Sequence, residues 1–253
     1  MTFQRLAISA GNPRNGLLRQ LPASELMLLH AHLQPASYAP DMPILSPGTR
    51  LQHCDFIEQG LISLMGRTGW DKRVEVGSVG REGMLGVGAA LGIEHAGHYA
   101  VTQTACQAMR IDTGRLRELL PMLPNLHRLL LRHAHERMME AMQLSACNAS
   151  HSVERRLARW LLAAGERLYP APIEITHARL GALLGVRRAG ITVALHMLEG
   201  ERAIRASRSQ IELRDAARLE ACACACHGLL RRTLQADHPP AEQSRPCEAA
   251  PLN

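Results

Sequence analysis

Two adjacent arginines, Arg187 and Arg188, have the clearest capacity for recognition chemistry in this chain of 253 residues. They stand in the first turn of a predicted helix over residues 187–200. A guanidinium group can donate two parallel hydrogen bonds to the O6 and N7 atoms of guanine, which a lysine does less well. Thr192 and His196 follow Arg188 by four and eight residues and share its helix face. Each arginine alone is a simple surface charge, but the four side chains together predict a helix that enters the major groove of DNA.

The segment around these side chains has the order of elements of a winged helix-turn-helix. A helix is predicted at 177–184, a tight turn at 185–186 and a second helix at 187–200. A two-strand hairpin follows, with strands at 203–206 and 210–213. Such a unit places its second helix in a major groove. Thr176, the predicted N-cap of the first helix, and Arg208, at the tip of the hairpin, are positioned to bind phosphates. The segment therefore predicts a domain that binds double-stranded DNA.

The positive charge of the chain is concentrated in the same region. The net charge is +6, and residues 150–218 hold 12 arginines against 7 acidic residues. A basic segment is what a polyphosphate partner requires. Charge alone fits a solvated arginine surface equally well. The composition therefore agrees with the motif without adding an independent argument for it.

The elements before this domain divide into a β region and a long helix. Residues 41–112 show short alternating apolar runs separated by glycine and proline, which is typical of a compact all-β sandwich or barrel. A helical stretch around Pro22 is predicted before it, over 14–36. A helix of more than twenty residues is predicted from Pro124 onward, and a further helix over 153–168.

The long helix carries an apolar stripe that favours self-association. Its residues recur at steps of three and four, at Leu126, Leu130, Ala134, Met138, Ala141 and Ser145. A long helix between two domains with such a seam is typical of a two-helix coiled coil. The alternative is that the stripe packs against the β domain of its own chain. The sequence favours the homodimer.

The helix-turn-helix segment resembles that of the Crp/Fnr family of bacterial transcription regulators. The resemblance rests on Ile175-Thr176 and on the run LGALLGVRRAGIT over 180–192, and the predicted domains extend it to nearly the whole chain. It implies an α+β fold with an N-terminal jelly-roll-like β-roll domain, similar to cyclic-nucleotide-binding domains, and a C-terminal winged helix-turn-helix domain. The implied β-roll spans 14–122 and the dimerisation helix 123–149. The implied DNA-binding domain spans 150–220, and a cysteine-containing flexible tail follows at 221–253.

The same resemblance implies how the chain would act on DNA. A homodimer would bind a pseudo-palindromic operator with half-sites about one helical turn apart, and RNA polymerase is the implied protein partner. Arg188 matches the family position that reads a guanine. Ala189 stands where many members have glutamate, and Arg187 stands where they have serine. The operator should therefore differ from the commonest family consensus.

The β domain lacks the residues with which family members bind a cyclic nucleotide. The corresponding pocket is expected around Gly83, Gly86 and Val87, where Val87 replaces the glutamate that bonds the ribose. Ala96 and Gly97 replace the arginine and serine that bind the cyclic phosphate. Because a buried phosphate without a cation is costly, cAMP and cGMP are not expected as ligands. The effector and any cofactor stay unknown, since the N-terminus also lacks a cysteine cluster for an iron–sulfur centre.

The cysteines suggest one further site without establishing it. Cys222, Cys224, Cys226 and His227 could bind Zn²⁺ or Cu⁺ or act as a redox element, but their close spacing is also that of an incidental tail. Three earlier cysteines, Cys54, Cys106 and Cys147, are interpreted as reduced small hydrophobic residues. No metal site is therefore predicted firmly.

Enzymatic and membrane functions find no support in the motifs. The His135-Glu136 pair lacks the second histidine of a zinc protease, and the segment 86–91 lacks the third glycine of a dinucleotide fingerprint. No apolar run has the length of a membrane span, and the N-terminus does not read as a signal peptide, so a cytoplasmic location is expected. The competing hypothesis is an effector-binding or scaffolding protein whose helix-turn-helix does not contact DNA.

Overall fold

Eight strands form two four-stranded antiparallel sheets in the computed structural model, which describes residues 13–69, 72–168, 170–207 and 209–229. The strands are β1 Gln34–Tyr38, β2 Pro43–Leu45, β3 His53–Gln59, β4 Ile62–Arg67, β5 Arg73–Val79, β6 Met84–Leu85, β7 Tyr99–Thr102 and β8 Cys106–Asp112. Their orders in the two sheets are β1-β8-β3-β6 and β2-β7-β4-β5. Side chains of both sheets, such as Ile57 of β3 and Ile62 of β4, meet in one buried core. This is the predicted β-roll.

The N-terminal helix is shorter than predicted. Helix α1, Ala23–His30, ends before the predicted limit at residue 36, and β1 begins at Gln34. Gln34 pairs with Arg110 of β8, so the residues after His30 join a sheet whose partner strand lies far away in sequence. Tertiary pairing here overrides the local apolar spacing.

The long helix α3, Pro124–Ser150, follows the short helix α2, Thr113–Leu119, and has 27 residues. Leu126 and Leu130 are fully buried against the β domain of their own chain. The prediction that these two residues lie in a dimer interface was wrong, because a side chain without exposed surface offers nothing to a partner. The exposed apolar residues of the helix begin at Leu131 and continue to Met138 and Met142.

The C-terminal domain contains the predicted helices and hairpin and one further helix. Its elements are α4 Val153–Leu168, β9 Ile173–Glu174, α5 His177–Leu184, α6 Arg188–Gly200, β10 Ile204–Ser207, β11 Gln210–Leu213 and α7 Ala216–Cys222. Helix α4 packs against both α6 and α7. The N-cap of the unpredicted α7 is Asp215, whose carboxylate accepts a hydrogen bond from the backbone of Arg218. The observed order confirms the α+β architecture with a C-terminal winged helix-turn-helix.

Polar contacts connect α4 to the β domain. Arg167 donates from Nε to Glu82 Oε1 at 2.8 Å. Trp160 donates from Nε1 to Glu75 Oε1 at 2.9 Å, at a carboxylate that is 8% exposed. These contacts fix the C-terminal domain on the β domain. Within the described ranges, none of the helices combines the length and the apolar character that a membrane crossing requires.

Candidate nucleic-acid interface

A capped helix and a tight turn orient helix α6. Thr176 caps α5, since its side-chain oxygen accepts a hydrogen bond from the Arg179 backbone at 3.1 Å. Gly185 ends the helix with a φ of +68°, a left-handed conformation that glycine adopts most readily. A Cβ at Gly181 would lie 2.9 Å from the carbonyl oxygen of Val186, so any side chain there would push the turn away. The angle between α5 and α6 is thereby fixed by the backbone.

The two arginines occupy different positions at the start of α6. The helix begins at Arg188, one residue later than predicted. Arg187 is its N-cap residue and has an extended backbone. Both side chains are exposed. Two guanidinium groups therefore project from the N-terminal end of the helix, where the recognition helix of a helix-turn-helix contacts bases.

A groove of about 510 Å³ lies between the helices and the hairpin. Three of the predicted DNA-binding residues line it: Thr176, Arg188 and His196. Ser207 and Ser209 line the same groove from the hairpin, while Arg208 lies outside the described residues. The structure brings the helix-capping residue, the first residue of α6 and the hairpin to one surface.

Thr192 has a different role from the exposed arginines. Its hydroxyl donates to the carbonyl oxygen of Arg188 at 3.2 Å and lies 3.0 Å from Nδ1 of His177. The residue is only partly exposed. Thr192 therefore connects α6 to α5 through His177.

Two apolar residues on the same helix were not predicted. Val193 and Met197 are 57% and 55% exposed, at spacings of four and eight residues from the exposed Ala189. Exposed apolar side chains on such a helix can contact the methyl group of thymine. The four-residue spacing from Ala189 is the sequence signal that would have identified them.

The β domain contains a small cavity near the predicted effector region. It has a volume of about 190 Å³, and Gly86 and Val87 line it together with Ala96 and Gly97. Gly83 does not line it, because the ring of the buried His133 packs against that glycine. The cavity is smaller than the roughly 300–1,000 Å³ typical of drug-sized ligand sites.

The charged groups at this cavity do not suit a cyclic phosphate. Arg137 reaches the cavity from α3, and its Nη1 atom donates to the Ser78 carbonyl and to Glu140, both at 2.7 Å. Its charge is thus already paired. Burial lowers the pKa of His98, so this imidazole is neutral at neutral pH. Arg137 is the one arginine among the described lining residues, and Glu140 already pairs with it.

A flexible tail was predicted after α7, but up to residue 229 the structure places the cysteine segment in a buried cluster. Cys224 and Cys226 are buried and lie beside Cys147. Two members of the predicted metal set are elsewhere: Cys222 is outside this cluster, and Nε2 of His227 lies 3.3 Å from Glu166. The rest of the predicted tail is outside the described residues.

Comparison with known proteins identifies both domains. A model of the Crp-like helix-turn-helix domain matches residues 155–222, and a model of the cyclic nucleotide-binding domain matches residues 35–121. No curated protein sequence is significantly similar to the chain.

Solved structures share this fold over about three quarters of the chain, at low sequence identity. The c-di-GMP-responsive global regulator CLP of Xanthomonas campestris is 18% identical to this chain with a TM-score of 0.61. The match covers 76% of this chain and 99% of the CLP chain. FixK2 of Bradyrhizobium japonicum is 16% identical with a TM-score of 0.65, covering 76% and 98%. A regulator of the CRP/FNR family from Thermus thermophilus is 23% identical with a TM-score of 0.60, covering 75% and 98%. The shared feature is the fold.

Proposed function

The chain belongs to the Crp/Fnr family of transcription regulators, and from this we propose that it binds a specific, pseudo-palindromic DNA operator as a homodimer. The observation that carries the proposal is the exposed pair Arg187 and Arg188 at the N-terminal end of α6. The groove beside them is lined by Thr176 and His196 and is open to solvent. Base readout by Arg188 supplies sequence preference, while Thr176 contacts phosphate.

Replacing Arg188 by alanine should weaken binding to the cognate operator by about 1–3 kcal/mol, or roughly 5- to 150-fold. The loss should be small on random DNA, because a bidentate contact to guanine adds affinity only where that guanine is present. The measurement has two steps. Bound fragments are first selected from a random oligonucleotide pool with the purified chain, and affinities for the selected site are then compared by titration at fixed salt.

Arg115→Ala is the matched control, since Arg115 is an exposed arginine on α2 that pairs with Glu118. It should leave operator affinity unchanged. An equal loss on operator and on random DNA would make Arg188 a phosphate contact. A wild-type chain that selects no sequence would favour the competing function, an effector-binding or scaffolding protein.

The dimer interface is proposed on the exposed side of α3. Its residues follow steps of three and four from Leu131 through Ala134, Met138, Ala141 and Ser145, the spacing of a coiled-coil seam. Leu131 and Met138 are 44% and 48% exposed, and the neighbouring Met142 is 57% exposed. Association with a second copy would bury this seam. The proposed interface therefore includes the exposed Leu131 and leaves out the buried Leu126 and Leu130.

Replacing Met138 by glutamate should convert the dimer to a monomer. Two carboxylates would face each other near the twofold axis, at a cost of several kcal/mol, which corresponds to about a 100-fold weaker association or more. Sedimentation would measure the change, with the wild type expected at twice the chain mass of 27.8 kDa. Met27→Glu, at a methionine on α1 that is 72% exposed, should stay dimeric. A wild-type monomer at all concentrations would contradict the proposal.

The effector is proposed to be a molecule other than cAMP or cGMP. The cavity is small and mainly apolar, and Arg137 is already paired with Glu140. RNA polymerase is the proposed protein partner at promoters. Because chromosomal DNA is the proposed target, the chain is proposed to act in the cytoplasm as a regulator and not as an enzyme.

A further inference from the structure

Four potential metal ligands meet where the long helix joins the C-terminal domain. They are Cys147, His151, Cys224 and Cys226, called here the thiol–imidazole cluster. Their ligand atoms all lie within 4.8 Å of one another. The Sγ atoms of Cys147 and Cys224 are 3.4 Å apart, and Cys226 Sγ is 3.6 Å from Nδ1 of His151.

The fold explains why two distant segments converge on this cluster. Cys147 lies in the last turn of α3, and His151 is the C-cap residue one helical turn later. Cys224 and Cys226 follow α7, which packs against α4 and returns the chain to the end of α3. The three cysteines are at most 4% exposed, and His151 is partly exposed. The cluster is therefore enclosed, with an entry path at the imidazole.

We propose that the thiol–imidazole cluster binds one zinc ion in a closed structural site. Tetrahedral zinc holds sulfur at about 2.3 Å and nitrogen at about 2.0–2.1 Å, so its ligand atoms lie about 3.8 Å (sulfur to sulfur) and about 3.6 Å (sulfur to nitrogen) apart. The two short distances in the cluster, 3.4 Å and 3.6 Å, are close to these values. The widest pair, within 4.8 Å, would close by about 1 Å. Three cysteines and one histidine are an established donor set for structural zinc.

A disulfide explains less of the cluster than a metal ion does. Oxidation would join Cys147 to Cys224 and leave Cys226 and His151 without a role. A four-coordinate ion uses all four groups, and zinc adds no redox step. When the ion binds, the three thiols release their protons to solvent, and the site carries a net charge of −1. Arg156 is close enough to Cys147 and Cys224 to interact with them electrostatically, so its guanidinium can balance that charge.

The ion would connect the end of α3 to the segment after α7. The first element carries the proposed dimer seam, and the second belongs to the domain that holds Arg188. Zinc would therefore fix the orientation of the DNA-binding domain relative to the dimer axis, a consequence that rests on the proposed function. The metal site itself does not depend on DNA binding and is tested without DNA.

Metal content of the full chain tests the site directly. The chain is purified without an affinity tag, under reducing conditions with zinc in the growth medium, and zinc is measured by mass spectrometry. The wild type should contain about one zinc per chain, and Cys224→Ser and Cys226→Ser should lose it. Cys222→Ser is the matched control, because Cys222 ends α7 but lies outside the cluster, and it should keep the zinc. Equal zinc in all four proteins, or none in the wild type, would overturn the proposal.

A second measurement does not depend on how well the variants fold. Cobalt(II) is added to the zinc-free wild-type chain, and tetrahedral thiolate coordination should give intense visible bands that one equivalent of zinc removes. X-ray absorption of the zinc form should fit three sulfurs and one nitrogen. Absence of these bands together with a Cys147–Cys224 disulfide, found by peptide mapping, would replace the metal site with a redox pair. Failure of operator selection with zinc present would count only against the proposed function.

Discussion

Replacing Arg167 by alanine is expected to lower the free energy of unfolding by roughly 2–4 kcal/mol. Arg167 lies on α4 with its side chain 13% exposed, 2.8 Å from Glu82 and 3.6 Å from Glu140. Its removal leaves the buried Glu140 with Arg137 as its remaining close cation. The expected loss is less than for a fully buried pair, because the Glu82 side chain is 38% exposed and partly solvated.

The same substitution should change the stability of the protein in acid. Arg167 and Arg137, acting against burial, hold the pKa of Glu82 at about 2, below its ordinary value of 4.5. A carboxylate with a lowered folded pKa stabilises the protein above its unfolded pKa, and this contribution is lost as the pH falls from about 4.5 toward 2. Without Arg167, the unfolding free energy should depend less on pH in this range.

Urea unfolding between acid and neutral pH would measure both effects. Arg81→Ala is the matched control, since Arg81 is an exposed neighbour of Glu82 that bonds the Glu166 carbonyl. That control should change stability by about 0.5 kcal/mol or less. If Arg167→Ala and Arg81→Ala gave the same small change, the contact with Glu82 would not contribute to the coupling of the two domains.

Local patterns predicted the elements that carry the candidate DNA-binding surface. The bounds of α4, α5 and β11 agree with the sequence because caps, glycine turns and apolar spacing are set within a few residues. Thr176 illustrates this, since its capping bond reaches only to Arg179. The start of α6 was displaced by one residue, which is the usual uncertainty at a helix end.

The cysteine cluster and the exposed side of α3 were missed because both depend on contacts between distant residues. The α3 stripe could not show which side packs on the β domain, so Leu130 was chosen where Leu131 is exposed. Cys147 lies 77 residues from Cys224, and no local pattern connects them. The unpredicted helix α7 is what brings them together. Local periodicity therefore defines the elements, while their packing defines the thiol–imidazole cluster and the exposed side of α3.

Replacing Glu75 by glutamine is expected to stabilise the protein at pH 8 by up to about 3 kcal/mol. Burial raises the pKa of Glu75 to about 7, although Ser63, Arg159 and Trp160 favour its ionised form. The unfolded chain releases this proton near 4.5, so the native state retains it over a wider range. The contribution of Glu75 therefore makes the wild type less stable as the pH rises from about 4.5 to 7.

Glutamine keeps the geometry of the site and removes the titration. Its side-chain oxygen can accept from Nε1 of Trp160, as Glu75 does at 2.9 Å, and its amide can donate to the hydroxyl of Ser63. The test is the difference in unfolding free energy between the variant and the wild type at several pH values. It should be small near pH 4.5 and grow toward pH 8, while Glu174→Gln, at an exposed carboxylate, should show no such trend. A constant difference across this range would mean that Glu75 is ionised in the folded protein, with Arg159 outweighing both burial and the nearby Glu140.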